Sequence, residues 1–367
     1  KAGYGTAVRE IPSMNDAWYN ALNKIDMEAA PDAIINSWWD FGHWFKMIGN
    51  RAVTFDGTSQ NTPMAHWVGK SLITRDEKQA ISILRMLDCG SHRAFDELDA
   101  VIQHPAESID LLNDVILLSR TGAERRLEQA GVEDTEAVLQ YTHCDPPENY
   151  YITSQDMIGK SGVWGHFGSW DFWRASMYNE VNNKNNIDGI KILMDEFEMS
   201  EEEADKIYYE IQTQDPNNWI TPWPSYQGGT AGCSATEDMI TCGNGLIFNR
   251  STEEAFIPTQ EGLKHLEAIS IPTNDGLKII EFSGNSVPLG AALIGKENSF
   301  SSILMSPELV GSTFTKLFFY KGHGSEYFEP FSYQRTVFGG EIFVWKVDWE
   351  GKDAYLVDEF IVQENEE

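Results

Sequence analysis

Three consecutive side chains, Trp38, Trp39 and Asp40, carry the most specific chemistry in this 367-residue chain. Each indole has one N–H to donate, and an ionised carboxylate only accepts. Side by side at the end of an extended segment, they can surround one small hydroxyl, with donors for its oxygen and an acceptor for its hydrogen. Twelve tryptophans are present and burial is their ordinary fate, so the same pair also reads as core packing. A second constellation lies further along. Met157, Lys160 and Trp164 stand at i, i+3 and i+7, on one face of a helix or kinked helix. A lysine so placed lays its stem along both apolar neighbours and reaches outward with its ammonium; a solvated lysine beside core residues has the same pattern.

The elements that must position these groups are legible around them. Ile34-Ile35, after the punctuation of Pro31-Asp32, reads as a short buried strand entering the tryptophans, and Gly42 beyond them permits a sharp backbone turn. Upstream, 14–30 reads as a helix burying Trp18, Leu22 and Ile25; downstream, 51–55 reads as a second strand. Thr74-Arg75-Asp76-Glu77 has the pattern of a capping box opening a helix that buries Ile81, Leu84 and Leu87. Pro105 fits a first helical position, and further helices are expected over 122–130 and 134–141. Tyr150–Thr153 reads as a strand, 155–164 as a turn or helix leaving it, 171–182 as a helix and 182–189 as a polar loop, with a capping box at Ser200. From Pro216 onward, Pro and Gly break any helix and short apolar runs alternate with turn residues. A helix returns over 306–320, and 342–347 and 355–357 read as strands. The fold class is α+β: a mainly α-helical core with short strands (1–217), an inserted β-rich unit (218–300), then a return to the core as helix and C-terminal strands (301–367).

A formal charge of −30 argues against nucleic acid or anionic lipid as partner. The acidic runs at Glu201-Glu202-Glu203 and Glu364–Glu367 read as solvated faces. No apolar run approaches the ~18 residues of a membrane span, so this chain is expected not to cross one. It opens on Lys1, which is read as a processed or excised fragment. Cys89, Cys144, Cys233 and Cys242 contain no Cys-x-x-Cys pair; Cys233 and Cys242 are either a local disulfide in an oxidising compartment or two free thiols. Gly159-Lys160-Ser161 is rejected as a phosphate loop, because position 154 is Ser where Gly is required. His92 near Asp96 and His143 near Asp145 have the types of metal ligands, but such histidines are far more often ordinary surface or satisfied ones. Asn249-Arg250-Ser251 is a glycosylation sequon on an expected loop.

Trp38-Trp39-Asp40-Phe41-Gly42 resembles the WWDYG signature of oligosaccharyltransferase catalytic subunits, with Phe41 where that family more often has Tyr. Met157-xx-Lys160-xxx-Trp164 resembles the kinked-helix motif that follows WWDYG in the family, known as its DK or MI motif, in a mixed form; Asp156 is one residue early for a strict DK match. The resemblance spans most of 14–215 and about 300–350, and is to the carboxyl-terminal domain of the archaeal (AglB-like) branch. It implies a glycosyltransferase that moves an oligosaccharide from a dolichol-type lipid to Asn of Asn-x-Ser/Thr in an acceptor polypeptide, at the extracellular face of the cell membrane. By this resemblance Trp38, Trp39 and Asp40 bind the Ser/Thr hydroxyl, while Lys160, Met157 and Trp164 line the pocket and touch the Thr methyl. It also implies Mn2+ or Mg2+, held with the catalytic residues in a multi-spanning amino-terminal half, so that neither lies in this chain, which alone would be inert. Two other classes suit the Trp-rich, acidic composition: a glycoside hydrolase and a non-enzymatic cell-surface carbohydrate-binding module.

Overall fold

Asn15 caps the first helix among the described residues, α1 (Asp16–Glu28), by accepting from the Trp18 amide at 3.2 Å, and Trp18, Leu22 and Ile25 turn inward as their spacing predicts. A computed structural model describes residues 14–60, 62–296, 299–337 and 339–360; the acidic run at Glu364–Glu367 lies outside the described residues. After α1 come β1 (Ile34–Asn36), a 3-10 turn (Trp39–Phe41), α2 (Gly42–Met47) and β2 (Ala52–Val53). The next helix, α3 (Met64–Ile73), is not foreshadowed in the sequence reading. Eight of its ten residues are buried, so it offers no apolar stripe to read.

Thr74 ends α3 and does not open the next helix. The N-cap of α4 (Glu77–Gly90) is Asp76, whose carboxylate accepts from the Lys78 amide at 2.9 Å. A helical layer follows: α5 (Arg93–Ile102), α6 (Pro105–Val115), α7 (Arg120–Gln129) and α8 (Thr135–Thr142). Then come β3 (Asn149–Ser154), α9 (Asp156–Gly159) and α10 (Ser161–Gly168). Four more helices, α11 (Phe172–Val181), α12 (Asn186–Glu196), α13 (Glu201–Thr213) and α14 (Pro216–Ile220), close the helical part. Helix α12 begins inside the stretch expected as loop, because the Asn185 side chain accepts from the Asp188 amide at 3.1 Å and caps it. The capping box of α13 forms in full between Ser200 and Glu203.

The β-rich part is β4 (Tyr226–Ala235), β5 (Met239–Cys242), β6 (Ile247–Asn249), β7 (Glu254–Thr259), β8 (Gly262–Thr273), β9 (Gly276–Glu281), β10 (Ser286–Lys296) and β11 (Ser299–Met305). They form one eight-stranded sheet, β10-β11-β4-β5-β6-β7-β8-β9, which closes on itself because β10 also pairs in parallel with β8. Closure removes the exposed edge between those strands, and Ile240, Phe248, Leu266, Ile269 and Leu293 fill the interior. The chain returns through α15 (Thr313–Phe319), β12 (Phe328–Arg335) and β13 (Glu341–Val347). Helix α15 is shorter than 306–320, since Pro307–Leu309 is a separate 3-10 turn. The expected strand at 355–357 amounts to an isolated bridge between Ser325 and Tyr355. Cys233 pairs with Cys242 across β4 and β5, and a second disulfide, Cys89 to Cys144, ties the end of α4 to the segment after α8.

A five-stranded sheet, β12-β13-β3-β1-β2, runs through the core, with β1 parallel to both its neighbours. Every residue of β3 is buried, and alternation sends Tyr150 and Ile152 toward α1 while Tyr151 joins the main core with Trp67 and Phe328. Among the described residues no helix is long and apolar enough to cross a membrane.

What places α10 is a backbone contact with α3. A Cβ on Gly69 would lie 2.7 Å from the Gly168 amide nitrogen and closer still to the Trp164 carbonyl, so only glycine fits there. Gly69→Ala is expected to destabilise the fold by on the order of 1–3 kcal/mol through overpacking. Gly162→Ala, whose Cβ meets nothing within 4 Å, should be neutral or stabilising by up to about 1 kcal/mol. Urea unfolding of the two variants checks the contrast.

Candidate functional site

Strands β1 and β3 pair in parallel with Ile34 opposite Asn149, Ile35 opposite Tyr150 and Asn36 opposite Tyr151. Both motifs therefore leave the same end of the sheet, Trp38–Gly42 from β1 and Asp156–Trp164 from β3. Asp88 on α4 braces this pair from the side. Its carboxylate accepts from Asn36 Nδ2 at 2.7 Å and from Asn149 Nδ2 at 2.5 Å, and Asn36 Oδ1 in turn accepts from Thr54 Oγ1 beside β2. Ser37 Oγ donates to the Ile152 carbonyl at 2.9 Å, which fixes the chain just before the tryptophans.

Trp38 does not line an open cup. It is 3% exposed and packs edge-on against Phe55, with centroids 5.2 Å apart, and beside Phe167. Extended backbone at Trp38 continues the strand inward, and only the following 3-10 turn brings Trp39 and Asp40 to the surface, where both are half-buried. Gly42 also differs from its expected role. Its backbone is ordinary right-handed helix, and what excludes a side chain is the close approach of Phe55 and Asp56, the carbonyl oxygen of Phe55 lying 2.9 Å from where a Cβ would stand.

Met157, Lys160 and Trp164 do not share one helical face. The chain breaks at Lys160, which caps the end of α9 and the start of α10 with φ −103° and ψ 2°. The break turns Met157 and Trp164 into the core, where the Trp164 indole N–H donates to the Met157 carbonyl at 2.8 Å, and leaves Lys160 at the mouth. The Lys160 ammonium lies 2.8 Å from Asp40 Oδ1, 2.9 Å from Asp156 Oδ2 and 5.1 Å from the Phe41 ring centroid, so its aromatic neighbour is Phe41 instead of Trp164. Ser154 Oγ holds the other Asp156 oxygen at 2.6 Å, and Phe41 is stacked on Trp44. Burial alone would draw the Lys160 pKa down, but hydrogen bonds and charge from Asp40 and Asp156 outweigh it and keep the ammonium charged above the ordinary lysine range.

The site the structure assembles is thus Trp39, Asp40, Phe41, Asp156 and Lys160, with Trp38, Met157 and Trp164 behind it as supports. Sequence reasoning left Asp156 out of the site, although its i,i+4 spacing to Lys160 is a signal for it. Asp88 carries no local signal at all, its partners lying 52 and 61 residues away. A divalent cation does not fit between Asp40 and Asp156, because the ammonium takes that place. Among the described residues no group of three His, Cys, Asp or Glu is placed to hold a metal.

The similarity of this chain to known proteins lies with glycotransferases that act on protein. It is 34% identical over 170 residues to the dolichyl-phosphooligosaccharide-protein glycotransferase of Methanococcus voltae, covering 44% of this chain and 18% of that relative. The protein of the same name from Methanocaldococcus jannaschii is 34% identical over 169 residues, again 44% of this chain and 18% of the relative. The resemblance carried by Trp38–Gly42 is to this same archaeal group. The chain spans under a fifth of the length of these curated relatives. The crystal structure of the C. jejuni pglb C-terminal domain overlays on 90% of this chain and 99% of its own at a TM-score of 0.38 and 11% identity. No protein-family profile matches.

Burial raises the Asp88 pKa to about 7, against the hydrogen bonds from Asn149 and Asn36, which lower it. Because the folded value lies above the unfolded one, its contribution to stability is present at low pH and is lost as pH rises through 7. Urea midpoints of the wild type between pH 5 and 8 should fall relative to those of Asp88→Asn, in which that difference is removed.

Proposed function

We propose that this chain is the acceptor-recognising part of an archaeal oligosaccharyltransferase, reading the hydroxyl of Asn-x-Ser/Thr at the mouth formed by Trp39, Asp40 and Lys160. The observation that carries the reading is the meeting of Asp40 and Lys160, 2.8 Å apart, from motifs that lie some 120 positions apart. The 34% identity to named archaeal glycotransferases supports it. In this account Lys160 fixes one Asp40 oxygen and the second accepts the Ser/Thr O–H, while the Trp39 indole donates to the hydroxyl oxygen. Trp38, packed on Phe55 and Phe167, is the rigid wall that aims Trp39 and Asp40 and touches no acceptor. Lys160 and its stem meet the Thr methyl.

A site built to hydrogen-bond a hydroxyl rejects an analogue lacking it by roughly 10⁴–10⁵, because its own polar groups go unpaired. Holding the acceptor two residues from the Asn also orients the amide for attack on the lipid-linked donor. The whole enzyme would sit in the membrane with this part on its extracellular face. Mn2+ or Mg2+, where the whole enzyme uses it, would be held by the rest of the polypeptide. The alternatives gain no support from the geometry. The platform of Trp38 and Trp39 that a carbohydrate-binding module would use is not formed, because Trp38 is inside. A glycosidase pair needs one carboxyl free to act as acid, whereas Asp40 and Asp156 share one ammonium.

In the full-length enzyme, Asp40→Ala should lower kcat/KM for an Asn-x-Thr peptide by roughly 10- to 150-fold, the scale of a lost hydrogen bond to a charged group, with the thermal midpoint unchanged because Asp156 still pairs Lys160. Near-normal transfer would remove Asp40 from the role. Lys160→Ala should cost roughly 10-fold, more with Thr than with Ser acceptors, on the scale of one lost methyl contact plus a weakened ion pair. Equal losses with both acceptors would contradict the methyl contact.

A further inference from the structure

The β-barrel carries the one Asn-x-Ser/Thr sequon of the whole sequence, Asn249-Arg250-Ser251, at the turn between β6 and β7. Arg250, Ser251 and Thr252 are exposed and Asn249 is half-buried. Asn249 Oδ1 accepts from the Ser251 amide at 2.9 Å and from the Thr252 amide at 3.1 Å, so the carbonyl half of the side chain builds the turn. The turn is closed further from β5's side. Ser251 Oγ donates to Asp238 Oδ1 at 3.1 Å, the Arg250 amide donates to the Asp238 carbonyl at 2.8 Å, and Glu253 turns the chain back with φ 57°.

We propose that Asn249 is a glycan attachment site, modified on Nδ2 before this hairpin closes. The two halves of its carboxamide serve different purposes. Attaching a sugar turns the primary amide into a secondary one and leaves the carbonyl oxygen in place, so both Asx-turn hydrogen bonds survive the modification. Closure, by contrast, curls the backbone and occupies the Ser251 hydroxyl, so an enzyme that reads an extended segment and its hydroxyl meets the sequon only earlier. The chemistry is substitution at the sugar. The Nδ2–C1 bond forms, the bond from C1 to the phosphate oxygen of a lipid-linked oligosaccharide breaks, its electron pair leaves with the lipid phosphate, and Nδ2 gives up one proton. The Cys233–Cys242 disulfide, on the strand pair next to β6, fits the oxidising compartment in which such transfers take place.

The test is mass spectrometry, with electron-transfer fragmentation, of the peptide spanning Asn249 in full-length protein purified from its own cells. A glycan on Asn249 in most copies, lost in Asn249→Gln and in Ser251→Ala, is expected. An unmodified Asn249 in the wild type, or a glycan that persists in Ser251→Ala, overturns the site. Asp238→Ala, which loosens the closed turn, should raise occupancy above the wild-type fraction; unchanged or lower occupancy overturns the order of modification before closure.

Discussion

Three rungs of parallel pairing between β1 and β3 are the constraint on which the site depends. A three-residue strand is too short to be stable by itself, and it is held because β3 is buried on both faces and because Asp88 ties Asn36 and Asn149 together across the two strands. Once that register is set, the ends of the two strands are adjacent, and Asp40 and Lys160 have nowhere else to go. A slip of one residue would turn the side chains of β1 to the opposite face and take Trp38 out of the core with them.

The ion cluster itself is not what stabilises this region. Asp40, Lys160 and Asp156 keep between about a fifth and a third of their side-chain surface in water, and pairs of that kind contribute little to folding. The stability lies behind them, in Trp38 against Phe55, Trp164 against Phe314 and the glycine contact of α3 with α10. This division suits recognition. Rigid apolar support fixes the positions of a few polar groups whose own partners are only partly satisfied, which leaves them something to offer a ligand.

Much of the framework was legible in the sequence because local chemistry dictates it: the apolar run into Trp38, the box at Ser200, Pro105 at a helix start, and the change of pattern past Pro216. What sequence reading missed arises from distance or from loss of contrast. Helix α3 is buried nearly all round, so periodicity is invisible in it. Cys89 and Cys144 are 55 positions apart with no motif between them. Closure of the barrel by β8 and β10 is a parallel pairing that no turn signal announces. At the site, Asp40 and Lys160 were readable as polar groups on a patterned background, but the inward course of Trp38 was not, since extended backbone gives each side chain a face only relative to its neighbours. The helical spacing of Met157, Lys160 and Trp164 misled for a related reason: the break at Lys160 changes the face midway.

The most direct test of the central claim is a structure of the full-length protein with an Asn-x-Thr peptide bound. The account predicts the Thr hydroxyl within hydrogen-bond distance of the Asp40 carboxylate and the Trp39 indole, with Trp38 still enclosed. A peptide bound elsewhere, with the Asp40–Lys160 pair covered by another part of the same polypeptide, would contradict it.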